Sequence, residues 1–478
     1  MAVRSELALV EEEEEEQQEV YDGPTHHPYA PSDELFEIST TVDPSYIISL
    51  VRKLVPSLNF LINEEENEDL CNRLRSGVTV GEEAWEEYGC VLWDLAASKT
   101  HAELMVQNLI LEVLLANLMI SQSARVSEIC IGIIGNLACH EVPMKHIVST
   151  NGLIELIVDQ LFLDDPQCLC ETFRLLTMGL RSNECITWSE ALQSEHILCR
   201  FLWVAENTMN LQLIEKSIGL ILAICESQPK VVDALLPPLM KLGLASLLIS
   251  LLSFEMSKLM SERIPERYSV LDVILRVIEA LSVMDGYSQD ICSNKELFQI
   301  VCDLVKLPDK VEVANSCVTA AVLIANILSD IADRSSDISQ DFSFLQGLLD
   351  IFPFASDDLE ARSAVWSIVA RLLVRVQEND MSLTSLYHYV SVIVSKTDMI
   401  EDDLLHQQLG YSSYEHESLA PSGAKLAART TSLKRIISIL NHWTALKENA
   451  DVNNVMGEPL VNDVDINRLL ECCHKHSK

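Results

Sequence analysis

Apolar residues recur at helical spacing along most of the chain. The first run is Ile47, Ile48, Val51, Leu54 and Val55, directly after Asp43 and Pro44. Those two read as an N-cap followed by proline at the first helical position, so order is expected to begin near residue 42. From Glu83 onward the helical pattern hardly stops, and it repeats. Laying Cys90–Ser98 over Gly132–His140 puts Leu95 on Leu137 and Ala96 on Ala138, an offset of 42 residues. Similar apolar helices follow at Phe173–Leu180, Ile218–Cys225, Val277–Val283, Val322–Ile331, Trp366–Val374 and Ile436–Trp443. A second match aligns Gly152–Leu161 with Gly243–Leu252, where a glycine precedes each helix and permits a sharp turn. Two- or three-helix repeats of the HEAT or armadillo kind have this period. The expected fold class is therefore all-α, an armadillo/HEAT-like α-solenoid of stacked helical repeats, each unit burying its apolar face against the next.

The pattern also sets boundaries. Residues 1–41 carry a glutamate run, Glu11–Glu16, and little apolar content, so an acidic, disordered N-terminal tail is expected. Asn63–Asp69 reads as a solvated loop. Residues 42–400 are assigned to the solenoid, 401–426 to a flexible loop, and 427–478 to C-terminal helices with a polar tail. The longest strongly apolar stretch without a charge, Leu242–Phe254, is expected to be a buried core helix too short to span a bilayer. The N-terminus has no basic segment ahead of an apolar run, so no secretory leader is expected.

Composition agrees with repeated helices: 48% of the 478 residues are hydrophobic and only 6% aromatic, and 15 Gly and 15 Pro are too few for an all-β fold. Charge narrows the partners. With 34 Lys plus Arg against 72 Asp plus Glu, the formal net charge is −38. That field repels phosphate backbones and anionic membranes and attracts basic proteins. The expectation is protein partners, some of them basic, with no nucleic acid and no membrane. Cys130, Cys139, Cys199, Cys225 and Cys317 lie in apolar helical segments and read as small buried hydrophobes of a reducing, intracellular compartment. Cys168 and Cys170, two apart on a helix, are expected to divide between packing and surface.

Catalytic patterns are missing: neither a phosphate-binding glycine loop, nor a nucleophile elbow, nor a zinc-protease helix motif occurs. No catalytic residue, cofactor or metal is assigned; the terminal Cys472-Cys473-His474-Lys475-His476 lacks ligand spacing. Candidate partner-binding positions come from the repeat. In importin-like armadillo proteins the last helix of each unit lines a groove with Trp and Asn four residues apart. Here Asp94, Asn136, Thr177, Ala223 and Asn326 occupy the Asn-equivalent positions, whereas Gly132 and Val322 occupy the Trp positions before Asn136 and Asn326. Trp93 and Trp366 have no Asn four residues later, so the ladder is broken and a reader of basic localisation signals is not expected. Trp93, Asp94, Asn136, Asn326 and Trp366 are the candidate groove residues, with helix bridging and core packing as their competing roles.

The segment Ser127–Cys139 closely resembles a stretch of the serum amyloid A-like (SAAL) proteins. Trp93-Asp94, Asp164-Asp165-Pro166 and Glu171-Thr172 with Arg174-Leu175-Leu176 fit the same pattern in the same order, and an acidic N-terminal region is shared. The likeness runs from about Glu83 to Ser182. It implies an armadillo-like fold without enzymatic activity and a nuclear or nucleocytoplasmic location, and it supplies no established ligand residues. The function expected is a non-catalytic adaptor or scaffold. A chaperone cofactor that promotes nucleotide release is the alternative.

Overall fold

The computed structural model describes residues 42–56, 80–376, 381–413, 423–449 and 461–477. The expected N-terminal tail and the Asn63–Asp69 loop lie outside them. From Pro44 onward the chain forms one unit by its contacts. Every regular element among the described residues is a helix.

Eight longer helices form the spine: α1 (Val80–Leu95), α2 (Ala124–Leu137), α3 (Pro166–Arg181), α4 (Leu211–Cys225), α5 (Tyr268–Ser282), α6 (Ala314–Asp330), α7 (Leu359–Val374) and α8 (Gly423–Asn449). Each packs on the next, from α1 to α8, as a ladder. Two further helices separate each pair of rungs, most of them shorter, for example Lys99–Gln107 with Ile110–Ile120 and Cys185–Leu192 with Glu195–Asn207; Leu244–Ser261 and Thr397–Ser413 are the long exceptions. Two short helices and a long one per unit is the armadillo repeat, and the molecule is an all-α armadillo-like solenoid.

Sequence chemistry explains the units. Ladder helices start at caps that satisfy free backbone donors: Ser123 accepts from Val126, Asp165 from Cys168, Asn210 from Leu213, and Asp358 from Glu360 and Ala361. Rungs packed on both sides are apolar nearly all round, as Leu220–Cys225 and Ile129–Ile134 show by complete burial. Between the two short helices the chain turns through a left-handed residue, Gly152 at φ 77° and Gly243 at φ 101°. Leu109 takes the same place at φ 64°, and the two helices it joins are bent by 73°.

Carbonyls left open at rung C-termini are capped from the following unit. Asn136 donates to the Trp93 carbonyl at 2.8 Å, and His140 lies 3.3 and 3.1 Å from the Ala96 and Ala97 carbonyls. Ser227 donates to Leu180 at 3.3 Å, Arg375 to Ala332 at 3.0 Å and Arg435 to Leu373 at 3.0 Å.

Several expectations need correction. The helix Thr397–Ser413 occupies the first half of the expected 401–426 loop. Its acidic residues are not all solvated: Asp403 is buried and receives Arg362 Nε at 2.6 Å and Trp366 Nε1 at 2.9 Å. The last rung begins at Gly423 rather than Ala427. Cys139 and Cys199 are exposed, not buried. Cys168 and Cys170 are both buried, because α3 lies between α2 and α4 and buries more than one face. Most of the stretch Leu242–Phe254 lies in a longer helix, Leu244–Ser261, which is not wholly core: Leu244, Leu248, Ile249 and Leu252 are buried, but Phe254 is exposed. Among the described residues that helix and Val311–Asp330 are long and apolar enough to cross a membrane by length and composition.

Candidate interaction face on the helix ladder

Each rung keeps one strip open to solvent. On α2 it carries Arg125, Glu128 and Asn136; on α3 Glu171, Arg174 and Arg181; on α4 Glu215 and Lys216. On α5 it carries Asp272, Arg276 and Glu279, on α6 Val322 and Asn326, and on α7 Glu360, Ser363, Ser367 and Arg371. On α5, α6 and α7 the spacing of three or four residues keeps each set on one face.

Four of the five candidate residues lie on or beside this strip, and two of those are already engaged. Asn136 is spent on the Trp93 carbonyl, and Asn326 donates to Ser282 Oγ at 3.0 Å. Both therefore brace one rung to the end of the rung before it. Trp93 lies against the bare backbone at Gly132, where a methyl group would meet the indole at 2.2 Å. Asp94 is exposed. Trp366 is a correction. It is 1% exposed, packs on Phe352 with ring centroids 5.0 Å apart and donates to buried Asp403, so it belongs to the core. The open positions of α7 are its neighbours Ser363 and Ser367.

The N-terminal half of the strip is largely self-neutralised. Arg125 meets Glu128 at 2.7 Å and Glu86 at 4.0 Å, and Arg174 meets Glu171 at 2.6 Å. Glu226, just past α4, bridges Arg181 at 3.3 Å and Arg276 at 3.1 Å. Toward α5–α7 the balance tips. Glu279 is pushed up from the usual carboxylate range, first by burial and next by repulsion from Glu360, with Asp358 adding to it and Arg276 opposing it. Asp272 is likewise pushed up by burial, with Arg276 opposing. Thus Glu279 on α5 feels the carboxylates of α7 across the intervening rung. Sequence reasoning missed this group because Glu279 and Glu360 stand 81 residues apart, and nothing local marks them as neighbours.

Burial pushes the thiols of Cys168, Cys225 and Cys317 up to about 12, so they are protonated at neutral pH. Among the described residues no three or more His, Cys, Asp or Glu side chains converge as a metal site.

An armadillo-like helical solenoid with a polar strip along its ladder is what the fold and this face define. The sequence comparisons add a likeness: over part of its length the chain is similar to the SAAL proteins. It is 29% identical to Protein saal1 of Danio rerio over 133 residues, 27% of this chain and 28% of that one. It is 30% identical to Protein SAAL1 of Homo sapiens over 138 residues, 28% and 29% of the two chains. The match thus spans less than a third of the length of these relatives. No model of a known protein family matches the chain. Among solved structures, an engineered protein aligns over 90% of this chain and 98% of its own at 14% identity and a TM-score of 0.44. Computationally designed armadillo repeat proteins for modular peptide recognition align over 58% of this chain and 99% of theirs, at 14% identity and a TM-score of 0.41.

Proposed function

We propose that the protein is a non-catalytic scaffold that binds other proteins through its ladder face, and that the α5–α7 part of that face takes a segment bearing Lys or Arg. The observation carrying this reading is the set of carboxylates along this part of the face, Asp272 and Glu279 on α5 and Glu360 on α7, where Glu279 is pushed up first by burial and next by the charge of Glu360. A cation placed there relieves repulsion that the free protein bears, and the net charge of −38 steers basic partners toward it. The caps and braces between rungs hold the face in place before a partner arrives, which lowers the ordering cost of binding.

Affinity capture from native extract, at low and high salt, tests this with wild type beside the double variant Glu279→Gln, Glu360→Gln. Partners retained by wild type at low salt, released by salt and lost by the double variant are the expected outcome. Retention of the same partners by the double variant would remove the acidic face from the account.

A further inference from the structure

The helix Glu195–Asn207 carries a row of rings on its outer side, away from the ladder strip. His196, Cys199 and Trp203 are exposed there, and their spacing of three and four residues puts them on one face. His196 stacks on Phe162 of the preceding unit, with ring centroids 4.5 Å apart and planes 6° from parallel, and Phe162 is itself 38% exposed. Trp203 is covered on one face by the Arg200 guanidinium, 4.6 Å from its ring centroid, yet it is 51% exposed, so its other face is open. Arg200 is pinned: it donates to the carbonyls of Leu161 at 2.7 Å and Leu163 at 3.0 Å, and to Asp164 at 3.0 Å. The two ring platforms are therefore set before a partner arrives, which lowers the ordering cost of binding.

Spacing, hydrogen bonding and charge together select what fits. His196 and Trp203 stand seven residues apart on one helix, which is about 10 Å along its axis. One turn of a polyproline II helix is about 9 Å, so prolines three residues apart in such a segment meet one platform each. Cys199, between the platforms, is small and leaves them as ridges. The carbonyls of Leu161 and Leu163 are taken by Arg200, and that of Trp203 by the Asn207 side chain at 2.8 Å. The indole N–H of Trp203, by contrast, has no partner among the described residues. A face with a donor to give and its acceptors spent suits proline, which brings a carbonyl and no N–H to satisfy. Charge adds an end to the site. Glu155 and Asp159, on the helix that leads to Phe162, are exposed and in no ion pair among the described residues. Glu195 and Glu206 lie on the side of their helix turned away from Arg200 and Phe162. These carboxylates attract a cation beside Phe162 and repel nucleic acid, the other polymer that stacks on exposed rings.

We propose that this face docks a proline-rich segment of another protein, bound as a polyproline II helix, with prolines on the Trp203 and Phe162–His196 platforms and a Lys or Arg beside Asp159 and Glu155. The ring contacts are apolar and persist in salt, whereas the contribution of the cation is screened.

Fluorescence anisotropy of a labelled peptide of two lysines followed by eight prolines, titrated with the full chain, tests this beside a peptide with serine in place of every proline. The two carry the same charge, so attraction to the acidic molecule alone binds them equally. The proline peptide is expected to bind about fivefold or more the tighter, at low and at high salt. Trp203→Ala and, separately, Phe162→Ala are expected to weaken it about tenfold and to leave the serine peptide unchanged. Both side chains are exposed, and a melting temperature equal to wild type confirms that the fold is kept. Asp159→Asn with Glu155→Gln is expected to weaken the proline peptide at low salt only. Equal binding of the two peptides by wild type, or equal binding of the proline peptide by wild type and by both ring variants, would overturn the proposal.

Discussion

Gly132 shows how single residues set the spacing of the rungs. Its missing side chain is the space into which Trp93 fits, and Asn136, one turn on, fastens the same contact through the Trp93 carbonyl. Gly132→Ala is therefore expected to destabilise the protein by about 1–3 kcal/mol, read as a lowered midpoint in urea. Asn136→Ala, which strands a partly buried carbonyl, is expected to cost about 1 kcal/mol; a variant of unchanged midpoint would show that the bond contributes nothing. Glu279 behaves oppositely. Its proton affinity is raised in the fold, so its contribution to stability is present in acid and lost as pH rises through the folded value. Glu279→Gln is thus expected to raise the melting temperature at pH 7, with the gain fading as pH falls through the raised folded value and gone below the ordinary glutamate range. A gain that persists in acid would place its cause outside this ionisation.

At the scale of elements, the strongest tie is the buried knot joining α7 to the helix Thr397–Ser413. Arg362 and Asp403 are 3% and 5% exposed, and the guanidinium donates both to the Asp403 carboxylate and to its backbone carbonyl, each at 2.6 Å. Trp366 completes the set, and Ser432 of α8 donates to the Trp366 carbonyl at 3.0 Å. Asp403→Ala leaves a buried guanidinium without its counter-ion, which costs about 3–5 kcal/mol. Hydrogen exchange is expected to show the loss first as opening of Thr397–Ser413 and α8. Uniform loosening of all rungs would contradict a local knot. Much of the ladder was legible beforehand: the apolar runs beginning at Cys90, Gly132, Phe173, Ile218, Val277, Val322, Trp366 and Ile436 fall on α1 to α8, because burial on several sides leaves a dense apolar signature. The Thr397–Ser413 helix was hidden by the same logic. Glu401, Asp402 and Asp403 look like loop chemistry until Arg362, 41 residues earlier, is seen to neutralise one of them. Trp366 was misplaced because a one-residue error of register along a helix turns a side chain about 100° and exchanges groove for core.

For the whole molecule, the repeat period disclosed the solenoid, and the composition disclosed its acidity. Neither disclosed where the charge is uncompensated. Pairing among Arg125, Arg174, Arg181 and Arg276 and their glutamates silences much of the N-terminal strip, and only a three-dimensional arrangement brings Glu279 into the field of Asp358 and Glu360. The half-exposed character of Leu244–Ser261 was concealed for a related reason: an apolar stretch looks the same in sequence whether one side or both are buried. The central claim is that the α5–α7 face is a docking site for cationic segments. The most direct measurement is the fluorescence anisotropy of a labelled extended peptide of alternating Lys and Ala, titrated with wild type, with Glu279→Gln, Glu360→Gln, and with Glu195→Gln, Glu206→Gln as a charge-matched control on the outer row. Binding that falls with salt, is lost by the first double variant and is kept by the control is the predicted result. Equal binding by all three proteins would mean that the peptide responds to net charge alone, and would contradict a site on the ladder.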